Sequence, residues 1–138
     1  MTGVIIGSNW GEVEKSKEFF LERYCFIDCR GRFVVARSSI WGFNITVLTA
    51  SHNISTGRVE EVTLKEVIVD AHAWIASNAV LYNCTIGQGA IVSVGSVVSN
   101  MTVLPYTMVE GNPARVIKKF DGQKWERVDV GFNNQHRQ

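Results

Sequence analysis

Apolar side chains recur every six residues through the second half of this chain: Val62, Ile68, Trp74, Val80, Ile86, Val92 and Val98. Four places after most of them stands a small or polar side chain, as at Asn78, Cys84, Ala90, Ser96 and Thr102. A shorter run steps Val35, Trp41, Val47, with Ser39, Ile45 and Ser51 at the corresponding places. An amphipathic helix wants apolar residues three and four apart, and a long strand wants strict alternation. A period of six fits neither. It fits short flat strands joined by tight corners, with the large aliphatic pointing into a prism and the small residue where successive turns crowd. Val, Ile and Thr enrichment supports strands, and Gly42, Gly87 and Gly95 offer backbone freedom near the corners. The fold class implied is all-β: a parallel β-helix, in which each coil buries its core against the next. A β-sandwich or barrel would show strands at wider and less even spacing.

The phase is ambiguous in "VDAHAWIASNAVL". A frame through Val69, Ile75 and Leu81, with Ala73 and Ala79 at the small places, fits nearly as well. It meets the later frame at Ile86 by losing one residue around "LYNC", so spacing leaves either Trp74 or Ile75 as the prism residue. Glu12 to Arg23 reads as a short uncapped helix, and Tyr24 to Arg32 as a first strand with a turn at Arg30-Gly31. Pro105 and Pro113 end regular structure after Leu104, and "RVIKKF" reads as a short basic closing segment. The 138 residues make one domain, with a repeat core of about 26–104 and a closing segment of about 105–120.

Composition narrows the function classes. With 46% hydrophobic and 20% charged residues the chain is of ordinary soluble type, and its net charge of +1 gives no global field for nucleic acid. Positive charge is locally dense at Arg115, Lys118 and Lys119, which suits a small anionic ligand. No apolar run approaches a membrane span, so no membrane insertion is expected, and "MTGVIIGSNWGEVEK" has no secretion-signal character. Cys25, Cys29 and Cys84 form an odd set without paired zinc-ligand spacing. They read as free thiols of a cytoplasmic protein, with Cys84 at a core position.

The segment "IGQGAIVSVGSVVSNMTVLPYTMVEGNPARVIK" resembles the C-terminal signature of hexapeptide-repeat O-acetyltransferases, and most closely the galactoside, maltose and sugar-polymer branch. "HAWIASNAVL" is similar to that branch's Trp-Ile-Gly hexad, and "VVARSSIWGFNITVLTASHN" to the coil ending in its catalytic histidine. The likeness runs from about Phe26 to Phe120. It implies a left-handed β-helix, a homotrimer, acetyl-CoA as co-substrate bound between subunits, and a sugar-like small-molecule acceptor; the spacing of the histidines, without an H-x4-H pair, leads to the expectation of no metal. It places His52 on the catalytic base, Asp28 on an acceptor-binding position and Trp74 beside both substrates. Ser77 falls near the thioester, Val94 and Ser99 along the CoA arm, and Arg115 and Lys118 near its phosphates. Four departures stand out, the first being a short loop between His52 and Val62. Asn100 replaces a phosphate-binding lysine, Ala76 replaces the glycine of Trp-Ile-Gly, and the sugar enzymes' N-terminal helical region is mostly missing.

The chemistry needs few parts. An alcohol is a poor nucleophile at neutral pH, so a base must take its proton as it attacks the thioester; neutral imidazole suits this. A donor, either Ser77 or a backbone N–H, must meet the developing oxyanion. Asp28 orients the acceptor, holds the His52 ring, or is a turn residue before Arg30-Gly31. Two rival functions remain open. A zinc carbonic anhydrase-like enzyme needs three histidines meeting at an interface, whereas His52 and His72 lie 20 residues apart and His136 lies in the tail. A non-catalytic solenoid would serve only for assembly or binding.

Overall fold

A computed structural model describes residues 4–5, 13–15, 24–36 and 38–128. Sixteen strands and no helix occur among them. In chain order the first eight are β1 (Val4–Ile5), β2 (Val13–Lys15), β3 (Phe26–Ile27), β4 (Arg32–Val35), β5 (Ile40–Trp41), β6 (Thr46–Leu48), β7 (Ala50–His52) and β8 (Val62–Leu64). There follow β9 (Glu66–Val69), β10 (Trp74–Ile75), β11 (Val80–Ile86), β12 (Ile91–Val92), β13 (Val97–Val103), β14 (Thr107–Glu110), β15 (Arg115–Phe120) and β16 (Trp125–Arg127).

These strands form the three faces of a prism. Face one stacks β1, β3, β6 and the first parts of β11 and β13, all parallel. Face two stacks β2, β4, β9 and the second parts of β11 and β13, again parallel. Face three stacks β5, β10, β12 and β14 in parallel. Ile75 pairs with Val92 and Val92 with Val109, a step of 17 residues per coil. Three hexads would make 18, so each coil drops one residue. The loss falls at the corner between faces one and two, where Leu81 is followed by Ile86 and Val98 by Val103 as prism residues.

That slip settles the phase. Val69, Ile75, Leu81, Ile86, Val92 and Val98 are all fully buried. The expected run through Val62, Ile68, Trp74 and Val80 is corrected. Val62 leaves the prism altogether, Ile68 and Val80 lie on outer faces, and Trp74 is 46% exposed. In a flat two-residue strand adjacent side chains point to opposite sides, so choosing Ile75 for the inside puts Trp74 outside. Ser39, Ala73, Ala90 and Thr107 fill one interior corner column, where little space is left. In the first full coil Phe33 meets Trp41 edge to face at 5.8 Å, and the Trp41 Nε1–H donates to Ser39 Oγ at 3.0 Å.

The corners use two devices. Asn44, Asn78, Asn83 and Asn100 have positive φ, which asparagine tolerates better than most residues. Their amides ladder between coils, with Asn44 Nδ2 donating to Asn78 Oδ1 at 2.8 Å and Asn83 Nδ2 to Asn100 Oδ1 at 2.9 Å. Of the three glycines expected to supply backbone freedom, only Gly95 does, at φ 70°. Gly42 and Gly87 serve close approach instead: a Cβ would lie 2.5 Å from Ser77 Oγ and 2.6 Å from the Pro105 nitrogen.

The ends also differ from expectation. Val13–Lys15, inside the expected helix, is a strand paired with Phe33–Val35; the rest of that segment lies outside the described residues. β14 stacks on β12, so the coil runs past Leu104 to Glu110. The basic segment "RVIKKF" is β15, which turns back antiparallel on β14, and β16 follows antiparallel on β15.

All three cysteines are free and buried. Burial pushes the Cys84 thiol up to about 12. Native protein is therefore expected to leave Cys84 unalkylated by iodoacetamide at about pH 8, while the denatured chain is labelled there; intact-mass spectrometry reads both.

Candidate active site

After Leu48 the chain leaves the prism at the corner between faces one and two. Thr49 anchors the departure. Its Oγ1 accepts the Gly31 N–H at 2.9 Å and its hydroxyl donates to the Asp28 carbonyl. The return is fixed by the Lys65 N–H on the Thr49 carbonyl at 2.7 Å and the Arg32 N–H on the Lys65 carbonyl at 3.1 Å. Between these feet β7 and β8 form an antiparallel ribbon, pairing Ala50 with Leu64, Ser51 with Thr63 and His52 with Val62.

Beyond His52 the loop is braced by its own polar groups. The Asn53 N–H donates to the Glu61 carbonyl at 2.9 Å, and the Glu60 N–H to the Asn53 carbonyl at 2.8 Å. Asn53 Nδ2 reaches Glu61 Oε1 at 2.8 Å, and Thr56 Oγ1 reaches Glu60 Oε1 at 2.7 Å. The Asn53 amide holds the exposed Glu61 carboxyl below its ordinary value. Gly57, at φ 80°, turns the loop.

His52 is exposed, and its Nδ1 lies 2.7 Å from the Glu60 carbonyl. A carbonyl oxygen only accepts, so this contact requires the proton on Nδ1. Asp28 does not reach this ring: it is buried, and Arg30 takes its carboxylate through Nε at 3.0 Å and Nη2 at 2.7 Å. The Arg30 N–H also donates to Asp28 Oδ1 at 3.1 Å, the turn geometry anticipated for that stretch. The Arg30 hydrogen bond holds the Asp28 carboxyl below the ordinary carboxylate range.

The remaining expected residues lie elsewhere on the prism. Trp74 stands on the outer side of face three, in register between Ile40 and Ile91. Ser77 is at the next corner, where its Oγ accepts the Phe43 N–H at 2.9 Å. The Gly95 N–H donates to the Ser77 carbonyl at 3.0 Å, which stacks exposed Val94 one coil further along. Ser99 follows on face one, in register with Tyr82. Arg115 opens β15, with Nη1 on the Ala114 carbonyl at 3.0 Å, and Lys118 pairs across to Met108. Trp74, Ser77 and Val94 thus climb one side of the prism towards the basic strand, while His52 projects from a different corner. Among the described residues no three His, Cys, Asp or Glu side chains gather as metal ligands; His136 lies outside them.

No protein-family model matches the chain. A Staphylococcus aureus (strain MRSA252) protein named "Putative acetyltransferase" is 26% identical over 114 residues, covering 80% of this chain and 57% of that one. The chain thus spans a little over half the length of the curated relatives it matches. Among solved structures, a hexapeptide-repeat containing acetyltransferase of Vibrio cholerae O1 biovar eltor, complexed with acetyl coenzyme A, superposes with a TM-score of 0.73. It is 22% identical, over 85% of this chain and 70% of that one. A maltose O-acetyltransferase of Clostridium difficile 630 gives a TM-score of 0.58 at 20% identity, over 84% and 69% of the two chains. At such identities the shared property is architecture. The fold is the left-handed hexapeptide-repeat β-helix.

Within this hexapeptide β-helix the groups around the imidazole were the hardest to foresee. Glu60, Asn53 and Glu61 were not singled out in the sequence. Their signal was a turn-forming stretch, "SHNISTG", followed by the alternating "VTL" of a returning strand. Gly31 carries the clearest steric constraint at the hairpin's foot. A Cβ there would lie 2.2 Å from both the Thr49 and Lys65 carbonyls. Gly31→Ala is expected to displace the foot and cost about 1–3 kcal/mol, measured by denaturant unfolding; an unchanged midpoint would mean that the hairpin shifts freely.

Proposed function

We propose that this chain is an acetyl-CoA-dependent O-acetyltransferase that moves an acetyl group to a hydroxyl of a sugar or similar small acceptor, by direct transfer. The observation that carries the reading is the His52 ring, its proton fixed on Nδ1 by the Glu60 carbonyl and its Nε2 open on a braced hairpin. Nε2 takes the acceptor's hydroxyl proton as that oxygen attacks the acetyl carbonyl carbon. When the carbon–sulfur bond breaks, the imidazolium returns the proton to the sulfur, giving ester and free thiol. The co-substrate supplies an acetyl group already activated as a thioester, so no covalent enzyme intermediate is needed.

Several features fit that co-substrate. The exposed Trp74 offers a flat wall, and Arg115 and Lys118 offer charge for phosphates. Ser77 accepts a backbone N–H with a lone pair, so its own O–H is left to donate to charge growing on the acetyl oxygen. Because His52 and Trp74 occupy different sides of one prism, the reading requires a second copy to bring them together. The Ile40–Trp74–Ile91–Met108 row on face three supplies an apolar surface for it, and a homotrimer is the closed arrangement proposed. The two solved acetyltransferases show that a prism of this architecture can carry such chemistry.

The test is thiol release from acetyl-CoA against a panel of sugars and amino-alcohol antibiotics, with light scattering on the same sample. Acceptor-dependent release by a trimer is expected. No release with any acceptor, from a folded trimer, would favour a non-catalytic scaffold.

A further inference from the structure

The foot of the hairpin that presents His52 borders a depression. This open cavity of about 470 Å³ is lined chiefly by Arg30, Gly31, Arg32, Leu64, Lys65 and Glu66. Its size falls within the range of small-molecule sites. Directly paired residues of an antiparallel ribbon share a face, so Ala50, Leu64, His52 and Val62 all project from the same side. Leu64 lines the depression, and His52 stands two residues further out along the ribbon, roughly 7 Å. A ligand seated in the depression therefore extends towards the imidazole.

Charge describes what such a ligand carries. Arg32 is paired with Glu66 at 3.7 Å, and the two offset each other. Arg30 is held differently. Its Nε and Nη2 grip the buried Asp28, while Nη1 makes no hydrogen bond to a described residue. Lys65 makes no ion pair with a described residue. One pre-oriented guanidinium edge and one uncommitted ammonium thus flank the cavity, and exposed Leu64 gives it an apolar side.

Resting on the transferase reading, we propose that the acceptor is an acidic sugar whose carboxylate or phosphate is bound by Lys65 and Nη1 of Arg30, with its hydroxyl directed to His52. Asp28 is then a positioning residue: it fixes the guanidinium and does not itself touch the acceptor. Leaving Glu66 to Arg32 keeps the acidic group from meeting an unpaired carboxylate.

Binding and transfer are measured separately, by titration calorimetry and by thiol release, with galactose, galacturonate and galactose 6-phosphate as probes. At least one acidic probe is expected to bind about tenfold or more tightly than galactose, with a preference that shrinks as salt rises. Which acidic probe is favoured tells carboxylate from phosphate. Arg30→Gln would strand the buried Asp28 carboxylate and could unfold the corner, so the informative variant is Lys65→Gln. It is expected to retain the wild-type unfolding midpoint and to lose most of the acidic preference. Equal binding of acidic and neutral probes, binding of none, or a preference that survives in Lys65→Gln overturns the proposal. Intact acidic preference without thiol release defeats the transferase reading alone, and release from all three sugars without preference defeats the acidic subsite alone.

Discussion

His52→Ala is expected to lower the rate of acetyl transfer by about 10²–10⁴-fold, the usual contribution of a positioned general base. The midpoint of thermal unfolding should barely move. The ring is exposed and its only described hydrogen bond is to the Glu60 carbonyl, which faces solvent on the same loop and can be satisfied by water. The two readouts together separate a chemical role from a structural one. His52→Asn sharpens the comparison, because its amide N–H falls at the Nδ1 position and can keep the Glu60 contact, yet offers no basic nitrogen. If either variant turned over at the wild-type rate, the imidazole would have no part in the reaction.

The second large effect concerns stability. Ile75→Ala removes a fully buried side chain from the prism and is expected to cost about 2–5 kcal/mol, since the stacked coils above and below cannot collapse into the gap. Trp74→Ala, one residue away, deletes a larger side chain that is 46% exposed, and should cost under about 1 kcal/mol. It should instead raise the KM for acetyl-CoA. Denaturant midpoints for the two variants decide the matter. An inverted order, with Trp74→Ala the more damaging in a variant that stays trimeric, would mean that the tryptophan is packed away and does not line a binding site.

This pair of residues also shows where the sequence was legible and where it was not. The hexad spacing revealed the architecture because large aliphatics must recur whenever the chain re-enters the same prism. It could not choose between Trp74 and Ile75, because in a two-residue strand both frames have the same period. The choice depends on the residue dropped at Asn83 and again at Asn100, and a left-handed asparagine corner leaves little trace in hydrophobic pattern. Gly42 and Gly87 were noticed for the wrong reason: a close approach between coils is a property of neighbours in another coil, far along the sequence. At the site, His52 was singled out by the resemblance and its place at the end of a coil; its polar turn alone reads as an ordinary surface histidine. Its orienting partner could not be singled out, because a backbone carbonyl has no residue type, and Glu60 looks like one acid among several. The Asp28–Arg30 fork lay hidden for a similar reason, since spacing of two reads equally well as an ordinary turn.

The antiparallel return of β15 and β16 has a consequence of its own. A column of identical parallel layers has no natural last layer: its upper rim offers the same unsatisfied amides and carbonyls that every layer below has already found complementary. Left bare, the β14 rim would welcome the lower rim of another molecule, and the solenoid would lengthen by recruitment. Reversing the chain there, and seating Phe120 between Tyr106 and Trp125 at 6.3 and 5.5 Å, gives that rim a partner that runs the wrong way for propagation. The flap that carries the basic residues thus also closes face three of the stack.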